Sequence, residues 1–335
     1  MIMTEKTKKK MPLWAKILCI ILSVLLSLVL IVYAGEKFIF AKFFFKGAER
    51  EMKIPGLWSG FVPQGFDKLD DDTYLMSGYH KDGKSPSILY IVDDDGATKC
   101  ELYNADGSAY TSHAGGVTHF AKWVYVAHNT GEDSTYCDMF LLSDVLDGDH
   151  KATKIDSVSV PLPVSYCSVY DSVLYAGAFY RDGSEYTTPE HHRITTPCGD
   201  KNTALMAVMS LDENTGKPIR PMPEFYFSTT SNVQGMCLTD SGKIVLSTSW
   251  GLTKSHLLVY DLQRANSHLT YFGDVQTPIV YLDGDCLVQD VVCPPMAEEL
   301  VYENGRVLIL TESASMKYLF GKLTSGNYVR SFPIE

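Results

Sequence analysis

The sequence lacks the short motifs that mark many catalytic and nucleotide-binding sites. It contains no GxSxG nucleophile elbow, no P-loop and no GxGxxG fingerprint. It also contains no CxxC pair and no His/Cys cluster with the spacing of a zinc site. No motif therefore assigns the chain to a nucleotide-dependent or serine-hydrolase class, and its architecture has to be inferred first.

Basic residues are scarce beyond the N-terminal segment. Residues 1–50 carry nine Lys/Arg and three Asp/Glu, a balance of +6 in a chain of −11, so residues 51–335 carry −17. Nucleic-acid binding needs basic groups that neutralise phosphates, so we expect no nucleic-acid partner.

The acidic triplets at 70–72 and 93–95 are compatible with Ca²⁺ but lack EF-hand spacing. Solvated turns explain them better, and we expect no cofactor.

One long apolar run is present, and it lies near the N-terminus. It follows four lysines within residues 6–10 and supplies about the 20 apolar residues that span a bilayer. Basic residues before such a run place the N-terminus in the cytoplasm. We predict a cytoplasmic tail at 1–12, a transmembrane helix at 13–34, a stalk at 35–58 and an extracellular domain at 59–335. A cleaved signal peptide is the alternative, although the run is long for one.

The cysteines do not form an evident disulfide framework. Cys19 lies in the apolar run, and the other seven are an odd number, so at least one is not paired within the chain. We expect Cys167 and Cys237 to be buried thiols. Cys286 and Cys293 are the first pair to test for a disulfide.

A repeated outline organises the remainder of the chain. In residues 232–251 a polar residue and a glycine are followed by a turn and an alternating apolar run, and related stretches recur with equivalent positions at 65, 116, 167, 235 and 299. Period-2 runs bounded by Gly, Asp and Ser predict antiparallel strands. Repeats of this kind bury their apolar faces by radial stacking. We predict an all-β, five-bladed propeller, or a six-bladed one if 252–296 holds another blade.

Radial stacking brings the start of each repeat to one mouth of the central channel. The polar residues expected there are Gln64, His113, Tyr166, Gln234 and Glu298, with His128 and Glu312 at the ends of following strands. Convergent polar groups over a channel are the default binding site. The long segment 181–203, which contains two adjacent surface histidines, is expected to form a loop at the same face.

Two of these residues carry acid–base chemistry. His113 can act as a general base near neutral pH, and Glu312 in a narrow channel can have a raised pKa. Gln64 and Gln234 cannot transfer protons, and they either bind a ligand or connect neighbouring blades. A purely structural role remains the alternative for His113 as well.

Three short pieces resemble plant-type glutaminyl cyclases, which are five-bladed propellers. The pieces are Gln64-Gly65, Gln234-Gly235 and Glu312-Ser313. In that family the Q-G strand and the glutamate lie in one blade, whereas here the glutamate lies in the fifth. The chain also looks like uncharacterised bacterial membrane-anchored propeller proteins.

The function predicted from these features is a binding module outside the membrane. Its partners would be the membrane, through the N-terminal helix, and a peptide, glycan or small ligand, with Gln64, His128, Tyr166, Gln234 and Glu298 as contacts. The alternative is a hydrolase or acyl-transfer enzyme, similar to glutaminyl cyclase, using Glu312 or His113 as acid or base. A third possibility is a structural partner in an envelope-protein complex.

Overall fold

The computed structural model describes residues 11–35, 41–131, 135–272, 275–318 and 321–334. The chain forms two compact units that divide between Phe43 and Phe44. The structure is mostly β, as the alternating apolar pattern predicts.

The first unit contains the apolar helix Leu13–Gly35. Its segment Leu13–Ile31 is long and apolar enough to cross a membrane. Nineteen residues rise about 28 Å at 1.5 Å each, close to the ~30 Å of a hydrocarbon core. The hydroxyls of Ser23 and Ser27 donate to carbonyls one turn earlier, at 2.8 Å each, so neither requires a partner from outside the helix. The predicted helix is therefore present.

The second unit is a ring of five mainly antiparallel sheets, which confirms the predicted five-bladed propeller. We number the blades 1 to 5 in the order of their innermost strands. From the axis outwards, blade 1 contains Phe61–Lys68, Tyr74–His80, Ile88–Asp93 and Gly96–Tyr103, with Lys151–Thr153 added in parallel. Blade 2 contains Val117–Phe120, Trp123–His128, Thr135–Leu141 and Asp156–Val160.

Blades 3 to 5 follow the same plan with additions. Blade 3 contains Val164–Tyr170, Val173–Ala178, Ala204–Ser210, Phe225–Thr229, Val275–Tyr281 and Ser267–Phe272. Blade 4 contains Val233–Leu238, Lys243–Thr248, Ser255–Asp261 and Leu287–Cys293. Blade 5 contains Ala297–Glu303, Arg306–Thr311, Tyr328–Pro333 and Glu49–Lys53.

Shorter elements lie between these strands. They are the α-helices Ala41–Phe44, Leu142–Leu146 and Lys322–Ser325, the 3₁₀ turns Leu57–Ser59, Glu190–His192, Leu262–Arg264 and Glu312–Ala314, and the hairpin Ile194–Thr195 with Lys201–Asn202.

One strand pairing completes the ring, and another places the hairpin that lies between the third and fourth strands of blade 4 in the sequence. Strand Glu49–Lys53 pairs with Tyr328–Pro333, so segments from before and after the repeats share blade 5. The described residues of the range 252–296 form no sixth blade. The hairpin Ser267–Phe272 and Val275–Tyr281 instead extends blade 3 beside Phe225–Thr229.

An apolar core fills each gap between neighbouring blades. Met139 of blade 2 packs in one cluster with Leu174 of blade 3, and Phe61 of blade 1 packs in another with Leu310 of blade 5. Corresponding clusters join blades 1 and 2, blades 3 and 4, and blades 4 and 5. Each sheet thus buries a face that it cannot bury alone, which closes the ring.

The cysteines are all free thiols. Cys286 and Cys293 are buried in different cores, so the structure contradicts a disulfide between them. Cys167 and Cys237 are fully buried as small apolar groups, as expected.

Candidate functional site

A cavity of about 880 Å³ lies at one mouth of the ring and receives side chains from all five blades. The lining comprises Gln64, Tyr79, His113, Gly115, Ala127, Asn129, Thr130, Gly131, Pro163, Ser165, Phe179, Glu185, Tyr186, Thr187, Gln234, Ser249, Trp250, Gly251, Met296, Glu298, Glu312, Lys317 and Tyr318. Five of the seven residues expected at this mouth are among them, namely Gln64, His113, Gln234, Glu298 and Glu312.

A β-bulge in the innermost strand places the polar residue of four blades in this cavity. The pairing register shifts at Ser165 in blade 3 and at Gln234 in blade 4. It shifts across Gln64-Gly65 in blade 1 and across Glu298-Glu299 in blade 5. A bulge leaves one residue outside the ladder and redirects its side chain. The repeated polar residue is therefore presented to the channel mouth instead of pairing with the second strand.

The bulge also explains why Tyr166 lies outside the lining. Tyr166 pairs with Gly177, and Ser165 occupies the bulge that Gln234 occupies in blade 4. The repeat in blade 3 is thus displaced by one residue from the alignment at 167, and a one-residue slip reverses which side chain faces the site. Tyr166 is buried against Gly177, where a Cβ would come within 2.0 Å of its ring.

His128 also lies outside the lining, because it binds a buried carboxylate. Its Nδ1 is 2.6 Å from Asp138 Oδ2, and Lys154 and Ser157 bind the other oxygen at 2.7 Å each. Burial alone would raise the pKa of Asp138, but these hydrogen bonds and charges lower it to about 2. His128 therefore has a structural partner within blade 2.

Glu312 is the best-defined acidic group of the cavity. It is 7% exposed, and its Oε1 accepts hydrogen bonds from the hydroxyls of Tyr79 at 2.8 Å and Tyr318 at 3.1 Å. Burial raises the pKa of Glu312 above its usual value, although these hydroxyls and the Lys317 charge lower it in part. Such a carboxyl can hold or release a proton nearer to neutral pH than an exposed glutamate.

Glu298 is a second acid in the same lining. Burial, followed by the charges of Glu312 and Glu299, raises its pKa well above the usual value. Its Oε1 is buried and makes no hydrogen bond within the part of the chain that the structure describes. Two carboxyl groups that disfavour each other's ionisation would both be stabilised as carboxylates by a positive charge placed next to them.

Glu299 lies deeper along the axis. Its Oε1 accepts from Ser168 Oγ at 3.3 Å, and its Oε2 would be 2.6 Å from a Cβ at Gly116. Burial and the charge of Asp67 raise its pKa strongly. This carboxyl reaches from blade 5 to blade 2, so it adds a further acid below the cavity floor.

Tyr79 connects the remaining polar groups of this wall. Lys317 Nζ donates to its hydroxyl at 2.5 Å and lies 4.7 Å from its ring centroid. The His113 ring packs against the same ring at 4.5 Å between centroids, with 30° between the ring planes. His113 is exposed to solvent, but packing of its ring within the cavity wall and the charge of Lys317 lower its pKa, which favours the neutral imidazole at pH 7.

The opposite wall is aromatic. Phe179, Tyr186 and Trp250 form a cluster with ring centroids 5.7 to 6.1 Å apart. Tyr186 and Trp250 are 44% and 39% exposed, and Arg181 lies 5.0 Å above the Trp250 ring. The cavity therefore pairs an acidic wall with a partly exposed apolar one, where the body of a ligand can pack.

Sequence reasoning missed Tyr79, Tyr318 and the aromatic wall. Their position in the blade could have identified two of these residues, because Tyr79 and Phe179 occupy the same place in their blades as Glu312 does in blade 5. Each comes at the end of a second strand, where it faces the channel mouth. At such strand ends sequence reasoning singled out the ionisable residues His128 and Glu312 and not the aromatic ones.

The segment 181–203 contributes as expected and differs in one detail. Its residues Glu185, Tyr186 and Thr187 line the cavity. His192, expected at the surface with its neighbour, is 3% exposed, and burial lowers its pKa to about 4. His191 is exposed, as expected.

Possible metal ligands lie away from the cavity. Asp70 and Asp93, from the two acidic triplets, accept hydrogen bonds from N–H groups of their own turns. A different group, formed by Cys198, Asp283 and Asp285, has the spacing of metal ligands.

No protein-family model matches the chain, and no curated protein matches it. Among solved structures, the PQQ-bound aldose sugar dehydrogenase from Streptomyces coelicolor is 12% identical, with 85% of this chain and 96% of that chain covered and a TM-score of 0.45. The Myxococcus xanthus glutaminyl cyclase is 13% identical, with 86% and 95% covered and a TM-score of 0.39. With TM-scores below 0.5, neither likeness bears on the function of this chain.

Proposed function

We propose that the cavity binds the free amino terminus of a peptide, or another organic primary amine with an apolar body. Among the described lining residues, Glu185, Glu298 and Glu312 face a single cation, Lys317. A bound ammonium group would donate to the carboxyls of Glu298 and Glu312. The adjoining apolar part would pack against Tyr186 and Trp250.

The observation that carries this proposal is the unpartnered Oε1 of Glu298 beside a second buried carboxyl. A buried acceptor without a donor costs about 1–3 kcal/mol. An ammonium supplies up to three donors and a charge that favours both carboxylates. Ligand binding would thus remove an unfavourable feature of the free protein.

Binding of peptides by the full chain in detergent micelles tests this proposal. We expect a tripeptide with an aromatic second residue to bind with a free amino terminus and not when N-acetylated. Affinity should rise with pH as Glu298 and Glu312 lose protons, because burial raises both pKa values. It should fall again above pH ~8, where an α-amino group deprotonates.

Isothermal titration calorimetry in buffers of different ionisation enthalpy should record net proton release on binding. Equal affinity for the free and acetylated peptides would contradict the proposal. If oligosaccharides bind and peptides do not, the cavity recognises glycans through the aromatic wall and not amino termini.

A second function, acyl transfer or hydrolysis, is supported by the hydrogen bonds to Glu312. As a carboxylate, Glu312 could take a proton from an attacking amine or water and return it to the leaving group. In glutaminyl cyclisation the amine would form a bond to the side-chain carbonyl carbon, and ammonia would leave. Ammonia release from glutaminyl peptides distinguishes this reaction from binding alone.

The location of the propeller outside the cytoplasm is also part of the proposal. Lysines before the apolar helix support a cytoplasmic N-terminus. We expect an epitope tag added after the C-terminus to react with a membrane-impermeant reagent in intact spheroplasts. A tag fused before residue 1 should react only after lysis, and the opposite pattern would reverse the orientation.

A further inference from the structure

Two turns far apart in the sequence place three potential metal ligands together at the outer part of blade 3. Cys198 lies in the hairpin between Ile194–Thr195 and Lys201–Asn202, whereas Asp283 and Asp285 follow strand Val275–Tyr281. Cys198 Sγ and one carboxylate oxygen from each aspartate all lie within 4.8 Å of one another. Atoms bound to one tetrahedral zinc ion are roughly 3.4–3.6 Å apart, so small side-chain movements would complete such a site.

Hydrogen bonds to side chains hold the two turns in place. Gly284 N–H donates to Asp200 Oδ2 at 2.8 Å and connects one turn to the other. Asp285 N–H donates to Asp283 Oδ1 at 3.1 Å, and Thr196 Oγ1 lies 3.2 Å from Cys198 Sγ. The cluster is therefore constrained by contacts between the turns and within each of them.

Asp283 is the residue of this cluster whose surroundings favour a bound ligand. It is 3% exposed, and its buried Oδ2 makes no hydrogen bond with the described residues. In the ranges that the structure describes, none of Asp200, Asp283 and Asp285 forms an ion pair with Lys or Arg. A buried carboxylate oxygen with no donor is unfavourable next to other acids, and either a proton or a bound positive ion would relieve it.

We propose that Cys198, Asp283 and Asp285 bind a Zn²⁺ ion, with Asp200 or water as the fourth ligand. Zinc accepts both thiolate sulfur and carboxylate oxygen, whereas Ca²⁺ takes oxygen ligands. Cys198 would bind as a thiolate, so its proton would leave to solvent when the metal binds. The ligands are too far apart in the sequence for zinc spacing to reveal the site.

The metal would stabilise the segment 181–203, which forms part of the ligand cavity. Asn202 Nδ2 already donates to Leu282 O at 3.0 Å, directly beside the proposed site. The same segment carries Tyr186 and Thr187 in the cavity lining. A zinc bond between Cys198 and the Asp283 turn would thus be structural, and it does not depend on the identity of the ligand in the cavity.

Metal titration of the full chain in detergent tests the proposal. After removal of metals with a chelator, we expect one Zn²⁺ to bind per chain in competition with a chromophoric chelator. Co²⁺ should give the near-ultraviolet charge-transfer band of a thiolate ligand. Cys198→Ser should remove that band and weaken Zn²⁺ binding by roughly tenfold or more. Loss of a residue that only supports a metal ligand already weakens binding by about tenfold, so loss of a ligand should cost at least as much.

Matched variants distinguish loss of a metal ligand from loss of folding. Cys198 and Asp285 are exposed, so Cys198→Ser and Asp285→Asn should retain the wild-type circular dichroism spectrum, and both should weaken binding. Asp240→Asn, at an exposed turn elsewhere, should leave it unchanged. Absence of stoichiometric Zn²⁺, unchanged affinity in Cys198→Ser, or Ca²⁺ binding without Zn²⁺ binding would overturn the proposal.

Discussion

Glu312→Gln is expected to weaken binding of an amino-terminal peptide by roughly 30-fold or more, the equivalent of about 2 kcal/mol. Glutamine has nearly the same shape and retains an oxygen that can accept from Tyr79 and Tyr318. It removes the negative charge that would pair with the ligand ammonium and adds an NH₂ group. The loss should therefore come from charge and not from packing.

Stability separates this effect from a folding defect. Burial raises the pKa of Glu312, so the folded protein retains a proton that the unfolded chain releases above pH ~4.3. A raised carboxyl pKa reduces folded-state stability as pH increases. At neutral pH the glutamine variant should thus have a free energy of unfolding equal to or greater than that of the wild type.

Glu213→Gln is the matched control, because Glu213 is exposed and lies outside the cavity. It should leave peptide affinity unchanged. If Glu312→Gln binds the free-amine peptide as tightly as the wild type, Glu312 has no part in amine recognition. If the wild type releases ammonia from a glutaminyl peptide and the variant does not, the acid–base function replaces the binding function.

Gly235→Ala is expected to lower the free energy of unfolding by roughly 2–3 kcal/mol, the upper range for overpacking. An added Cβ would lie 2.5 Å from Glu299 Cα and 3.0 Å from Glu298 O. Both atoms belong to the backbone of the neighbouring inner strand, so no side-chain rotation can relieve the contact. Blades 4 and 5 would have to separate near the axis.

The same displacement would move Glu298, so Gly235→Ala should weaken peptide binding as well as stability. Gly148→Ala is the control, since a Cβ there meets no atom within 4 Å. Its effect should remain within about 0.5 kcal/mol. Denaturant unfolding of both variants, monitored by tryptophan fluorescence, measures the difference. Equal stability of Gly235→Ala and the wild type would show that the inner strands are not closely packed there.

The repeated polar-glycine outline was sufficient to predict the ring and much of its mouth. Gln64, His113, Gln234, Glu298 and Glu312 line one cavity because similar sheets place equivalent residues at equivalent radii. The sequence reasoning did not distinguish a bulged from a regular strand, however. In blade 3 the bulge exposes Ser165, whereas Tyr166 turns into the core.

Other differences come from contacts between segments that are distant in sequence. His128 binds Asp138 and therefore does not line the cavity. Cys286 and Cys293 are buried in two different apolar cores and therefore cannot form a disulfide. The hairpin after strand Ser255–Asp261 joins blade 3, because its partner strand offers an open edge there. None of these outcomes has a local signature, since each depends on which edge or partner is free after folding.

By itself, the sequence determined the apolar helix, the alternating strands and the five-fold repetition, because periodicity and apolar length are local properties. Only the tertiary structure decided which polar side chains face the cavity, which acids remain without donors, and that Cys198 lies beside Asp283. Those features depend on strand register, bulges and close packing around an axis. The physical reason is that burial and charge coupling arise between residues that the chain order keeps far apart.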